Sequence, residues 1–385
     1  MVYQTKDSTQ AATFIEDLGN LADPRDNRGK KLDLAFTIGS AVLAILSGRS
    51  KVSSIHRYMD NRADWIRKTI EKPKAKVVSR AHLPRMLVIV DLNELNDIVE
   101  VHFGVRLEVD DRDEWIAIDG KTLRGTTSAK NKQGERTLLA VTHAERHVLA
   151  QRPMSGPKSS EITAARELLR ETGLEKTKVT LDALHLNPIT TGQINLAGGI
   201  YIIQAKDNQE ALGKQFEHLF ANEKPLGVIS TTEQGHGRYE ARKSTFIALE
   251  EVDFDDRWVN SGFQTLIVME RYTIKIARQK VSSETSYYVS NQKVDQVQHS
   301  EQSSLFNAVR RHWGVESDNW IRDVTLGEDQ VKTKHANQAH IMACLRTIAM
   351  RLLRKTKSKN FQATIETFSD CPDRFETFLR QTGVV

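Results

Sequence analysis

The hydrophobic pattern changes its period at Glu114, and this change restricts the chain to a fold in two parts. Before that point, apolar residues recur at helical spacing in four runs, Phe14 to Leu21, Leu32 to Leu46, Ile55 to Ile66 and Leu87 to Phe103. They predict an all-helical N-terminal domain over residues 1–110. After it, the short runs EWIAIDG, HVLAQR, KVTLDAL and GIYIIQAKD alternate with the helical segments EITAARELLRETG and NQEALGKQFEHLF. Strands interleaved with helices predict an α/β sheet. Between Val228 and Gln292 three strand-like runs succeed one another, so a β-rich insertion over about 210–295 is expected inside a unit spanning 111–355. Helical patterning returns from Ser303 to Lys355, with Ile341, Leu345, Ile348 and Leu352 at core spacing, and 356–385 reads as a polar-aromatic tail.

A chain of 385 residues with 39% hydrophobic and 27% charged residues can bury a sizeable core unaided, and 21 glycines and 8 prolines exclude wholesale disorder or a collagen class. Cys344 and Cys371 form no CxxC pair, which excludes the common zinc ribbons and fits a reducing compartment. The start MVYQTKDSTQ carries no secretion pattern, so the expected location is the cytoplasm, in association with the nucleoid. Leu34 to Gly48 is free of charge but falls short of the ~20 residues a membrane span needs, and is read as a core helix; no membrane partner is expected. The net charge of +5 is unevenly placed: Arg49 to Arg85 holds eleven Lys or Arg against three acids, with Tyr58 and Trp65 among them. This segment, including Lys72, Lys74 and Lys76 in a Lys-rich loop, is the candidate nucleic-acid contact, a solvated basic surface being the alternative.

Asp119 closes the run EWIAIDG, where the strand is expected to stop at Asp-Gly, and Asp182 holds the same place in KVTLDAL. Each alone could be a turn former or a helix cap. The third element, VRRHWGVESDNWIRDVTLGEDQ, puts Glu316 and Asp323 two helical turns apart, on one face with His312, Trp313 and Trp320. The two indoles are read as packing residues, and Gly327 to Asp329 as a turn. The alternative role for the acids is an internal ion pair with Arg310, Arg311 or Arg322. Three carboxylates brought together from two strand ends and a late helix would suit Mg²⁺ or Mn²⁺, hard cations that favour oxygen ligands and support in-line phosphodiester displacement. Without metal their mutual repulsion would raise at least one pKa. No His or Cys set has zinc-ligand spacing.

The motifs AIDGKTLRGT, KSSEITAARELL, TLDALH, IIQAKDNQ, HGRYEAR, RRHWGVES, RDVTLGEDQ and NQAHIMACLRTIAMRLLRK, in this order over most of the chain, resemble DDE-type insertion-sequence transposases of the H-repeat-associated (Rhs-linked) group. The resemblance implies a ribonuclease-H-like core with Asp119, Asp182 and Glu316 as the catalytic, metal-binding triad, the long interval before Glu316 holding the β-rich insertion. It implies double-stranded DNA as partner, both element ends and target, and a homodimer in the synaptic complex. Lys121, Arg124, Lys206, Arg238 and Arg242 are further candidates for DNA phosphates, a surface ion pair being the alternative for each, and His185, His312 and Asp323 are candidates for supporting the acids. The segment departs from the family pattern in reading SDNWIRD after Glu316, and in having Val309, His312 and Asp323 where larger relatives place Tyr, Arg and Lys. A nuclease without strand transfer and a catalytically dead or domesticated DNA-binding protein remain alternatives.

Overall fold

The computed structural model describes residues 12–103, 114–128, 131–154, 158–235, 237–278, 280–295 and 299–385. Its first half is helical: α1 (Phe14–Asp17), α2 (Leu34–Leu46), α3 (Val52–Asn61), α4 (Ala63–Thr69), α5 (Leu83–Ile89) and α6 (Leu92–Phe103). The Asp33 carboxylate caps α2 by accepting the Phe36 N–H at 2.8 Å. Every residue of α2 is buried, as an all-round apolar helix must be. Its Thr37 and Ser40 hydroxyls donate to carbonyls one turn back, so neither buried donor is left open.

The second half is built on one nine-stranded sheet: β1 (Trp115–Leu123), β2 (Glu135–Thr142), β3 (Val148–Met154), β4 (Lys178–Leu181), β5 (Ile200–Ala205), β6 (Gly227–Gly235), β7 (Arg238–Ala248), β8 (Thr265–Lys275) and β9 (Lys280–Ser290). The spatial order is β3-β2-β1-β4-β5-β9-β8-β7-β6. An antiparallel meander, β1 to β3, continues into β4 and β5, which run parallel to β1. Helices α7 (Lys158–Thr172), α8 (Pro188–Leu196) and α9 (Glu210–Asn222) cover one face, where Leu168, Ile194 and Phe216 pack on Ile118, Val179 and Ile203. The other face is covered by α10 (His299–His312), α11 (Gly314–Trp320) and part of α12 (Ala336–Lys355), through Leu305, Val309, Val315 and Ala343. The result is a three-layer α/β sandwich.

The β-rich segment expected as an insertion is continuous with the sheet. Its last strand, β9, returns antiparallel beside β5, pairing Ile202 with Ser290, and β8, β7 and β6 lie successively outward, so the segment extends the sheet. The terminal segment differs from the sequence reading in not being a tail. It forms α13 (Phe361–Asp370) and α14 (Pro372–Gln381), whose Ile365, Phe368, Phe375 and Leu379 are buried in the same core as α2 and α6. Four apolar residues among polar ones are enough for two short amphipathic helices when a groove is available to receive them.

The two halves are joined through α12. Its Ile341, Leu345, Ile348 and Leu352 are buried in the helical core, as their spacing predicts. Its buried arginines bond carbonyls on both sides: Arg346 reaches Ser50 and Leu326, and Arg351 reaches Val99 and Val148. Cys344 on the same helix is buried, its thiol pushed up to about 12 by burial. Among the described residues no helix is long and apolar enough to cross a membrane.

Candidate active site

Parallel pairing of β1 with β4 brings the two aspartates together. The register ends at Ile118 opposite Leu181, so Asp119 in β1 and Asp182 just past the end of β4, each one residue further, are neighbours across the strand pair. Asp182 ends its strand as expected and caps a short turn, accepting the Leu184 N–H at 3.1 Å. Asp119 does not end its strand. On its other side β2 keeps pairing through Leu123, because the antiparallel ladder does not depend on β4. Gly120 is required there: a Cβ would sit 2.2 Å from Oε1 of Glu161, whose carboxylate is paired with Arg136 at 3.0 Å.

Asp119, Asp182 and Glu316 line one cleft of about 190 Å³, together with Gln204, Lys206, Tyr288, His312 and Trp313. Glu316 comes from the first turn of α11 and is exposed. Its neighbour Asp318 points the opposite way, buried and paired with Arg354 at 2.5 Å and Arg146 at 3.2 Å, which fixes α11 against α12 and the β2–β3 turn. Gly314 leaves room for Arg146, since a Cβ would lie 2.9 Å from its Nη2.

The Asp119 carboxyl is pushed up to about 7 by burial first, then by the charges of Asp182 and Glu161; the Gly120 N–H and the Asn319 amide oppose the shift. Asn319 donates to Asp119 Oδ2 at 3.2 Å. Sequence reasoning missed this residue, although it lies three positions after Glu316 and so on the same helical side. It also missed Thr180, whose hydroxyl sits between Nε2 of His143 at 3.0 Å and Nδ1 of His312 at 2.8 Å, two residues before Asp182. Burial lowers both imidazoles, His143 to about 3 and His312 to about 4, so both are neutral at pH 7.

The continuous helix expected through Asp323 is interrupted. It breaks at Trp313, and a wide π-type turn over Ile321–Thr325 rotates the chain beyond it. His312 and Glu316 stay on the cleft, while Asp323 turns to Lys121. Lys121, expected to meet DNA phosphate, is 6% exposed and held by Asp323 and by Glu328 at 3.5 Å, so it faces the interior. Glu328 is itself buried against Arg322, which makes the expected turn, with Gly327 at φ +62°, part of an internal ion network. Trp313 and Trp320 are 44% and 60% exposed, against the packing role expected for them.

The other candidates are dispersed. His185 lies beneath Asp182, buried, with Nε2 3.7 Å from the carboxylate, too far for a hydrogen bond. Lys206 is exposed at the cleft. Arg124 is exposed just past β1. Arg238 and Arg242 lie on β7, paired with Glu240 and, for Arg242, Glu233, and do not line the cleft. Lys72 is bonded to Asp33 at 2.5 Å, while Lys74 and Lys76 stand exposed in the α4–α5 loop.

Asp119 on β1, Asp182 just past the parallel strand β4 and Glu316 from a later helix line one cleft, a candidate carboxylate-centred site on an α/β sheet. The family model described as Transposase DDE domain matches residues 111–352, and the one described as DDE_Tnp_1-associated matches residues 15–102. The chain belongs to the DDE transposase family, whose processes are DNA transposition and recombination. It is similar to "Putative transposase YncI" of Escherichia coli O157:H7, 27% identical over 362 residues, 90% of this chain and 88% of that protein. It is also similar to "H repeat-associated putative transposase YhhI" of Escherichia coli strain K12, 30% identical over 263 residues, 66% of this chain and 67% of that protein.

Proposed function

We propose that this chain binds the ends of its own element and catalyses metal-dependent cleavage and transfer of DNA strands, with Asp119, Asp182 and Glu316 as its catalytic acids on a ribonuclease-H-like core. The observation that carries the reading is the register of β1 and β4, which sets Asp119 beside Asp182 in the cleft that Glu316 also lines. The strand order β3-β2-β1-β4-β5 supports the core assignment.

The donor set fits a divalent metal. Its acids are oxygen ligands of the kind Mg²⁺ and Mn²⁺ take, and the Asp119 carboxyl, raised by burial first and then by the charges of Asp182 and Glu161, is a group whose ionised form a bound cation would favour. Among the described residues no three His, Cys, Asp or Glu side chains stand close enough to share one ion. Bound there, the metal would activate the attacking oxygen and stabilise the leaving one. Lys206 supplies an exposed ammonium for a backbone phosphate, and Asn319 orients the Asp119 carboxylate. Residues 1–110, with Lys74 and Lys76, are assigned to DNA binding, residues 111–355 to catalysis, and two copies to the synaptic complex.

The test is cleavage of labelled DNA carrying the element ends, with Mg²⁺, Mn²⁺ or chelator, for wild type and Glu316→Ala. Metal-dependent nicking at the ends followed by joining to a target, both absent in the variant, is the expected result. Nicking without joining would identify a nuclease. Specific binding with no cleavage under any metal would identify an inactive binding protein.

A further inference from the structure

The helical half contains a cationic pocket that none of the site residues above uses. It is a cavity of about 370 Å³ lined by Arg49, Ser54, Arg57, Tyr58, Asn61 and Arg62. Ser54, Arg57, Tyr58 and Asn61 succeed one another at steps of three, one and three along α3, so they form one helical face. Arg49 and Arg62 close its two ends. The Arg49 guanidinium lies 6.0 Å from the centre of the Tyr58 ring, and that ring is fixed below by a hydrogen bond between its hydroxyl and Ser47 at 3.1 Å.

Charge decides what such a pocket takes. Arginines of the sheet and its covering helices are typically paired with acids, as Arg136, Arg242, Arg310 and Arg322 show. Arg49, Arg57 and Arg62 have no carboxylate partner among the described residues, and no acid lines the cavity. Two of them are nevertheless held in place by neutral groups of α13: Arg49 donates to the Ser369 hydroxyl at 3.4 Å and Arg62 to the Ser369 carbonyl at 3.3 Å. Arg57 is exposed between them. Three guanidiniums converging on a cavity without a counter-charge repel one another, and an anion with several oxygens relieves that repulsion while accepting their forked N–H groups.

The pocket is also tied to the catalytic half. Ser50, next to Arg49, gives its carbonyl to Arg346 at 2.6 Å and its hydroxyl bonds Gln330 at 3.1 Å, in the loop beyond the Glu316 helix. These bonds hold the pocket in a fixed position on the catalytic half. We propose that Arg49, Arg57 and Arg62 form a binding site for backbone phosphate of duplex DNA, one that positions the duplex without reading its sequence. This rests on the DNA-transposase reading above, and it moves the main phosphate contact of the basic segment from the lysine loop to the α3 face.

The experiment measures duplex binding by the full chain against salt concentration, for wild type, Arg57→Gln, Asn61→Asp and the Lys74→Gln/Lys76→Gln pair. Arg57 has no side-chain bond among the described residues, and Asn61 is exposed, so circular dichroism should be unchanged for both. Arg57→Gln is expected to weaken binding about tenfold for any duplex sequence and to make the slope of log affinity against log salt shallower by about 0.9. Asn61→Asp, which places a carboxylate in the pocket and removes no arginine, should weaken binding at least as much. Unchanged affinity and slope in both variants would overturn the site while leaving the transposase reading intact, as would a loss confined to the lysine pair. A wild-type chain that binds no duplex would overturn both.

Discussion

Asp119 shows how a single residue answers to several neighbours at once. Its carboxyl, pushed up to about 7, keeps in the folded state a proton that the unfolded chain releases near 4. The stabilising effect of that proton is complete below about pH 4 and is lost as pH rises through 7, because the ionised form is the disfavoured one in the fold. Asp119→Asn should therefore be more stable than wild type at pH 8, by about 2 kcal/mol once solvent screening is allowed for, and equal to it near pH 4. Thermal melts of the metal-free protein across that range check the sign. Mg²⁺ should raise the wild-type melting temperature at pH 8 and have less effect on the variant, since the ion compensates the same charge. The aspartates themselves were legible in the sequence from their strand context. Asn319, Thr180 and His143 were not, because a polar residue next to a strand or on a helix carries no mark of which acid or imidazole it will face.

At the scale of elements, α11 is the part that the sequence reading placed least well. A seven-residue helix flanked by a break at Trp313 and a π-type turn has no distinct periodicity, so Asp323 was assigned to the face of Glu316. The structure instead divides the acids of this segment by partner: Glu316 to the cleft, Asp318 to Arg146 and Arg354, Asp323 to Lys121. Removing the Asp318 anchor leaves two arginines without their carboxylate and frees the helix that carries Glu316. Asp318→Ala is expected to cost about 3 kcal/mol in chemical denaturation. It should also reduce end cleavage far more than it reduces end binding. Cleavage that stays at the wild-type rate in a variant of lowered stability would show that α11 is positioned by other contacts.

At the scale of the molecule, the N-terminal and C-terminal helices form one core around α2 and α12, with the sheet domain between them in sequence. Ending the chain at Lys355 would remove Ile365, Phe368, Phe375, Leu379 and Val384 from that core. At ~2 kcal/mol for each buried side chain, the loss is about 10 kcal/mol, comparable to the whole stability of a domain. The truncated chain should lose its cooperative thermal transition in the helical half, as followed by circular dichroism. A 1–355 chain melting like the full one would show that α13 and α14 only decorate the surface. Chain order hid this contact, since 356–385 and 14–103 are far apart in sequence and each looks self-contained.

The sequence by itself determined the kinds of element, the helical half and the alternating α/β half, and offered the three acids as candidates, because period and side-chain chemistry are local properties. Motif order over most of the chain was also enough to identify the family. Only the tertiary structure decided which partners meet: that β9 closes on β5, that residues 356–385 complete the first core, and that Lys121 is turned inward to Asp323 while the three arginines around α3 have no acid partner among the described residues. Those outcomes depend on contacts between residues distant in sequence, set by which surfaces can be buried together and which charges can be paired when they are.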